Sequence, residues 1–112
     1  MVIGVQELAA AAFQALADPN RRAIVEELGN GQRSVAELTR KLRISQPAVS
    51  RHLRLLRQAG LVDSQPEGAR HLYRLRSDGA DAVRSYMQRV WEDATTRYRL
   101  AAANTTRPRR RT

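Results

Sequence analysis

Apolar residues recur every three or four positions from Glu7 onward, with Leu8, Ala12, Phe13 and Leu16 forming one stripe, which predicts a first helix. Asp18 precedes Pro19, pairing a side-chain cap with a ring at a position where no N–H is needed, so a second helix starts there. Ala23, Ile24 and Leu28 are its inner face, and Gly29-Asn30-Gly31 ends it. Ser34 and Glu37 have the spacing of a capping box, which predicts a third helix reaching Leu42. After a tight connection at Arg43-Ile44, Ser45 caps a fourth helix with Pro47 in its first turn and Gly60 past its end. The period then changes. Leu61–Ser64 and His71–Leu75 read as two short strands joined by Pro66-Glu67-Gly68-Ala69. Ser77 or Asp78 caps a last helix running to about Leu100, with Val83, Tyr86, Met87, Val90, Trp91, Ala94 and Tyr98 as its stripe.

The expected fold is mainly α with a small β-hairpin, a winged helix-turn-helix in the order α-α-α-α-β-β-α. Two short helices joined by a three- or four-residue turn are the core of that motif, and the hairpin is its wing. The last helix would be about 34 Å long, too long for a domain of this size to cover. Its distal stripe is therefore assigned, with the first helix, to an isologous two-fold interface: Leu8, Phe13, Leu16, Tyr86, Val90, Trp91, Ala94 and Tyr98. Residues 1–102 form the one folded domain, dimerisation surface included, in this reading. Residues 103–112, which include four Arg at 107 and 109–111, form a disordered basic tail.

Composition narrows the class. The 112 residues suit one domain, and with 4% aromatics its core is built from Leu, Val, Ile and Ala. There is no cysteine, which excludes a disulfide framework, a thiolate metal site and a thiol switch. No apolar run reaches the ~20 residues of a membrane span and no secretory pattern opens the chain, so a cytoplasmic, nucleoid-associated location with no membrane partner is expected. The net charge of +9 is unevenly placed. Residues 1–32 hold two Arg against four acids, whereas residues 33–76 hold nine Arg and one Lys against three acids. A surface facing a polyanion has this distribution, as does a chain from an Arg-biased proteome. Charge alone does not separate DNA from RNA or an anionic membrane.

The fourth helix decides between them. Advancing about 100° per residue, Val49, Leu53 and Leu56 fall in one sector and form core. The opposite sector carries Pro47, Arg51, Arg54 and Gln58, flanked by Gln46, Ser50 and Arg57, with three guanidinium groups and no acid. A solvated helix face has the same composition, but a capped helix and tight turn before it and a wing after it favour a reader of the major groove, where Arg pairs with guanine and Gln with adenine. Candidate DNA contacts are Ser45, Gln46, Ser50, Arg51, His52, Arg54 and Arg57, with Arg70 of the wing reaching a minor groove or a phosphate. His52 sits between the two sectors, where its ring stacks at the domain edge and donates to a phosphate or backbone. His71 is the only other histidine, so no metal and no cofactor is implied. No nucleophile stands beside a base, and Ser50 and His52, two apart on a helix, do not face each other, so the chain is not read as an enzyme.

Two segments resemble the ArsR-type (ArsR/SmtB) regulators: Ala15-Leu16-Ala17-Asp18-Pro19-Asn20-Arg21-Arg22 with Ile24–Leu28, and Ser45-Gln46-Pro47-Ala48-Val49-Ser50-Arg51-His52-Leu53 continuing through Leu56–Val62. The likeness spans roughly residues 8–100. It implies a dimeric winged helix that represses promoters, often its own, and leaves DNA when an effector binds. Ser45–Arg54 would enter the major groove and Glu67–Arg70 would form the wing tip. Metal-sensing members carry a Cys-Val-Cys arrangement where this chain has Ser34, Val35 and Ala36. Members binding zinc between their last helices use His with carboxylates, and here Asp78, Asp81, Glu92 and Asp93 have no His among them. The resemblance is thus to the non-metal branch. The expected function is a homodimeric repressor on a palindromic operator in double-stranded DNA; the sequence leaves open whether a small-molecule effector exists, and the apolar space between Phe13 and Trp91 near the dimer axis is either its seat or solid core. An architectural or protein-interaction module and a metal-responsive repressor are the alternatives.

Overall fold

Five helices and three short strands follow one another in a computed structural model that describes residues 4–105. Helix α1 spans Val5–Ala15, and the Glu7 carboxylate accepts from the Gly4 amide at 2.9 Å. Its buried line is Ala9, Ala12 and Ala15 rather than the larger residues of the expected stripe. Small side chains let α1 lie close to the last helix, and Phe13 is left 44% exposed at the edge of that contact.

Helix α2 (Pro19–Leu28) begins where Asp18 accepts from the amides of Asn20 at 2.8 Å and Arg21 at 3.1 Å. Arg21 and Arg22 then tie it to α1. Arg21 donates from Nε to the Ala15 carbonyl at 2.6 Å and from Nη2 to Gln14, while Arg22 Nη1 donates to Leu16 and Ala17. The last carbonyls of α1 have no partner within their own helix; Arg21 satisfies that of Ala15 and adds to that of Gln14, while Arg22 holds the two carbonyls of the turn that follows.

Strand β1 is only Arg33–Ser34 and helix α3 is Val35–Leu42. The expected capping box forms: Ser34 Oγ accepts from the Glu37 amide at 3.2 Å, and Glu37 Oε1 accepts from the Ser34 amide at 2.8 Å. Helix α4 is Gln46–Gln58, with Ser45 Oγ accepting from Ala48 N at 3.3 Å. Strands β2 (Val62–Glu67) and β3 (Arg70–Leu75) pair antiparallel about a two-residue turn, where Gly68 takes φ +62°.

The sheet departs from the expected two-stranded hairpin. Its order is β1-β3-β2, with Arg33 opposite Tyr73 and Ser34 opposite Leu72. A two-residue strand has no period to read. The hairpin arms are also longer than expected, because Pro66 lies inside β2. That strand is at the sheet edge, where a missing N–H leaves no ladder bond unmade.

Helix α5 runs Ser77–Thr105. It passes both the expected end near Leu100 and the boundary set at residue 102, carried on by the strong helix formers Ala101–Ala103. The basic run at 107–112 lies outside the described residues. The core joins Ile24, Leu38, Val49, Leu53, Leu56 and Val62, with Leu28, Ala59 and Leu61 around them. At 29 residues α5 is about 43 Å long, so its distal half projects beyond that core. The radius of gyration of 20.3 Å compares with about 13 Å for a compact chain of this length.

Gly79 sets the angle of that projection. Its amide donates to the Gly60 carbonyl at 2.8 Å, and a Cβ there would come within 2.5 Å of the Ala59 oxygen and 2.9 Å of Leu61. The start of α5 is thereby pressed against the turn that ends α4.

Candidate nucleic-acid interface

The two sectors read from the α4 wheel are separated in space. Val49, Leu53 and Leu56 are fully buried, while Gln46, Pro47, Ser50, Arg51, Arg54, Arg57 and Gln58 are exposed. Val49 and Leu53 pack with Leu38 of α3 and Ile24 of α2, so the helix is fixed by its inner side and its outer side is left unconstrained. Among the described residues, none of the acids forms an ion pair with Arg51, Arg54 or Arg57. Elsewhere, Arg33, Arg70, Arg74, Arg76 and Arg84 each hold a carboxylate. The outer face of α4 therefore presents three uncommitted planar cations, each able to form two parallel hydrogen bonds to an acceptor pair.

His52 lies at the inner edge of that face. It is 7% exposed, and its Nδ1 lies 3.5 Å from Arg21 Nη1, so the ring is turned into the α2–α4 contact and has little surface for a phosphate. Burial chiefly pushes its pKa down; Asp18 opposes that shift, and Arg21 and Arg51 add to it. A neutral ring with its proton on Nε2 can accept the guanidinium N–H at Nδ1. A wheel places His52 at the sector boundary, but only the three-dimensional neighbour Arg21 shows which way the ring is used.

Arg70 is exposed at the wing tip, where Nη2 bonds Glu67 Oε1 at 3.2 Å across the turn. Such a surface pair is worth about 0–1 kcal/mol, so it does not bar Arg70 from a better anion. Ser45 is exposed and caps α4, which aims its hydroxyl at the helix rather than outward. Leu55 departs from the polar pattern and lines a groove with Ala11, Ala15 and Arg21, joining α4 to α1.

The residues expected to join two subunits divide into two groups. Leu16 packs on this chain's own core, and Leu8 lies against the Gly60 turn, so both are half-buried within the domain. Phe13 meets Tyr86 edge-on with ring centroids 6.2 Å apart, and Arg89 stands 5.9 Å over the Tyr86 ring. Farther along α5, Val90 and Ala94 are exposed, Trp91 is 68% exposed, Tyr98 is 78% exposed and Leu100, outside the expected interface set, is 61% exposed. Within one chain, Phe13 and Trp91 line separate clefts. The cleft beside Phe13, of about 290 Å³, is lined by Gln6, Ala9, Ala10 and Tyr86, because Trp91 lies more than a helical turn beyond Tyr86.

Among the described residues no three His, Asp or Glu gather as a metal site, and no helix is long and apolar enough to cross a membrane.

Comparison with known proteins agrees with this geometry. Residues 18–64 match the family model described as "Bacterial regulatory protein, arsR family". The HTH-type transcriptional regulator Rv2034 of Mycobacterium tuberculosis is 49% identical over 87 residues, covering 78% of this chain and 81% of the relative. The HTH-type transcriptional repressor SmtB of the same species is 48% identical over 63 residues, covering 56% of this chain and 47% of that protein. An ArsR-like transcriptional regulator from Rhodococcus sp. RHA1 superposes with a TM-score of 0.84 at 27% identity, covering 92% of this chain and 97% of that one. With the motif, the fold and the relatives in agreement, the chain belongs to the arsR family of bacterial regulatory proteins and is a DNA-binding transcriptional regulator, not an enzyme.

Proposed function

We propose that the chain represses transcription as a homodimer bound to a palindromic operator, with its own promoter among the targets. The observation that carries this reading is the outer face of α4, where Arg51, Arg54 and Arg57 are exposed and unpaired over a rigidly packed inner face. One such helix makes few base contacts. Two, about 34–36 Å apart, add their free energies on successive turns of the same groove. Phe13, Tyr86, Val90, Trp91, Ala94 and Tyr98 supply an apolar surface on α1 and α5 for the two-fold contact, and Tyr and Trp are the residue types that dominate such contacts. Repression is supported by the name of the SmtB relative.

Release by a small molecule belongs to the same reading. The cleft of about 290 Å³ beside Phe13 and Tyr86 adjoins the helices that would set the spacing of the two subunits. A largely apolar ligand there would act on that spacing.

Selection of binding sites from random duplexes tests the proposal, followed by sizing of the complex and a reporter fused to the chain's own promoter. The expected results are an inverted repeat with half-sites one turn apart, two chains per site, and reporter output that rises when the protein is removed. Binding with no sequence preference, or a reporter that falls, overturns it. Zinc, cadmium or arsenite at micromolar levels should leave the complex intact, and release by any of them would make the metal-responsive alternative correct.

A further inference from the structure

The turn between α3 and α4 holds a residue that its backbone does not favour. Arg43 has φ 57° and ψ 41°, the left-handed conformation, and among the described residues it is the one non-glycine with positive φ. An L side chain pays for that conformation through crowding of Cβ against the backbone, which is why glycine or asparagine usually stands at such a helix end. Gly31, Gly60 and Gly68 fill the other positive-φ positions in this chain. At residue 43 the chain keeps arginine instead.

Nothing within the fold accounts for that choice. The Arg43 amide closes α3 by donating to the Thr39 carbonyl at 2.9 Å, a bond any non-proline residue supplies. Its side chain is exposed, with no ion pair or hydrogen bond to another described residue. Compensation of the helix dipole is already provided by Arg40 and Lys41 in the last turn of α3. A strained position holding an unpartnered cation points to a contact outside the chain. Arg43 stands two residues before the Ser45 cap of α4, and in chain order it lies between the exposed Arg40 and Lys41 of α3 and the exposed Arg51 of α4.

We infer that Arg43 is a DNA-backbone anchor: its guanidinium binds a phosphate at the edge of the groove that α4 enters, fixing the depth and angle of that helix without reading sequence. The inference rests on the DNA-binding reading of α4. It adds a contact that base recognition by Arg51 and Arg54 does not require.

Arg43→Gly gives the test an unusual handle, because it relieves backbone strain while removing the cation. Three measurements on the full chain decide it: thermal melting, and equilibrium binding to a selected operator duplex and to a random-sequence duplex of equal length, each from 50 to 200 mM salt. The variant should melt at or above the parent's temperature and yet bind both duplexes more weakly. One phosphate contact contributes about 0.9 to the slope of log K against log salt, so the parent's advantage should shrink by about 3.5-fold per chain across that range. The preference for operator over random duplex should be unchanged, and Arg43→Lys should keep the parent's salt slope. A variant that binds as the parent does, with the same slope, overturns the anchor. So does one that loses melting temperature and affinity together, since the residue would then be structural. So does one that loses affinity only for the operator, which would make Arg43 a base reader. If the parent itself binds neither duplex, the DNA-binding reading of α4 fails, and the anchor with it.

Discussion

Helices α4 and the distal half of α5 both expose a long face, and the two faces have opposite chemistry. On α4 the exposed residues are Arg, Gln and Ser over a buried aliphatic side, and the charges are uncommitted. On α5 beyond Tyr86 the exposed residues include Val90, Trp91, Tyr98 and Leu100, no buried side opposes them, and the projecting half has no core beneath it. A polyanion rewards unpaired guanidinium groups. Water penalises exposed indole and phenol rings that a second protein surface would cover. One molecule therefore carries an electrostatic face on a rigid support and an apolar face on an unsupported rod.

Charging the apolar face should have the largest effect. Trp91→Glu with Tyr98→Glu places carboxylates where the proposed interface is driest, at about 4 kcal/mol or more of association free energy for two aromatic anchors. Sedimentation should show a monomer with unchanged helicity by circular dichroism, and operator affinity should fall to that of one half-site. If the double variant remains a dimer, the contrast between the two faces has been drawn in the wrong place.

The join between the two helices comes next. Gly79→Ala forces a methyl group toward the Ala59 carbonyl and the Leu61 side chain, and overpacking of that kind costs about 1–3 kcal/mol. At an exposed helical position the same change would stabilise by about 0.5–1 kcal/mol. The sign alone is therefore informative: a lower melting temperature means that α5 leaves α4 at an angle set by glycine, and a higher one means that the contact is slack.

On the α4 face itself, Arg51→Ala and Arg54→Ala should each weaken operator binding by about 1–3 kcal/mol and relax preference at particular bases, with little change in melting temperature. Equal losses on operator and random duplexes would move these residues from base reading to phosphate contact.

The face of α4 could be read from sequence because it is local. Cap, period and turn all lie within Ser45–Gly60, and Asp18 before Pro19 and the Ser34–Glu37 box are equally short-range signals. What could not be read depended on partners distant in the chain. Arg33-Ser34 becomes a strand only because β3 lies beside it. Ala9, Ala12 and Ala15, rather than Phe13, form the buried line of α1, because the close approach of α5 favours small residues over large ones. Arg21 and Arg22 were visible as part of a family-like segment, but their bonds to the end of α1 depend on how the chain turns between the helices. The wheel sets His52 at the boundary of the two sectors and gives no sign of Arg21, which decides how the ring is used. Arg43 was legible only as part of a tight connection; its left-handed backbone was not, because an arginine gives no sign of a conformation that glycine usually takes.

The smallest expected effect concerns the buried edge of α4 and separates the two helices by pH. Burial lowers the pKa of folded His52 from the ordinary 6.5, with Asp18 opposing the shift and Arg21 and Arg51 reinforcing it. The unfolded chain then binds this proton more readily than the folded one, so stability rises with pH wherever the two states differ. The full contribution is present above about 6.5 and declines as the pH falls below that value toward the folded pKa. The carboxylates that the fold holds low act in a more acid window. Asp18 and Glu37 accept backbone N–H bonds at their caps, and Asp63 and Asp78 are also lowered, so their support is lost only as the pH drops through values under the ordinary 3.8 and 4.5. Melting temperature measured from pH 7 to 5 therefore isolates His52 from these carboxylates. The parent should lose stability across that interval, and His52→Gln should lose less, because an amide can still meet Arg21 but takes up no proton. The distal α5 face has no buried histidine, so dimer dissociation at constant fold should be flat over the same range. Parallel declines in parent and variant would mean that the acid response arises elsewhere, and that the packed underside of α4 is not where this molecule is sensitive to protons.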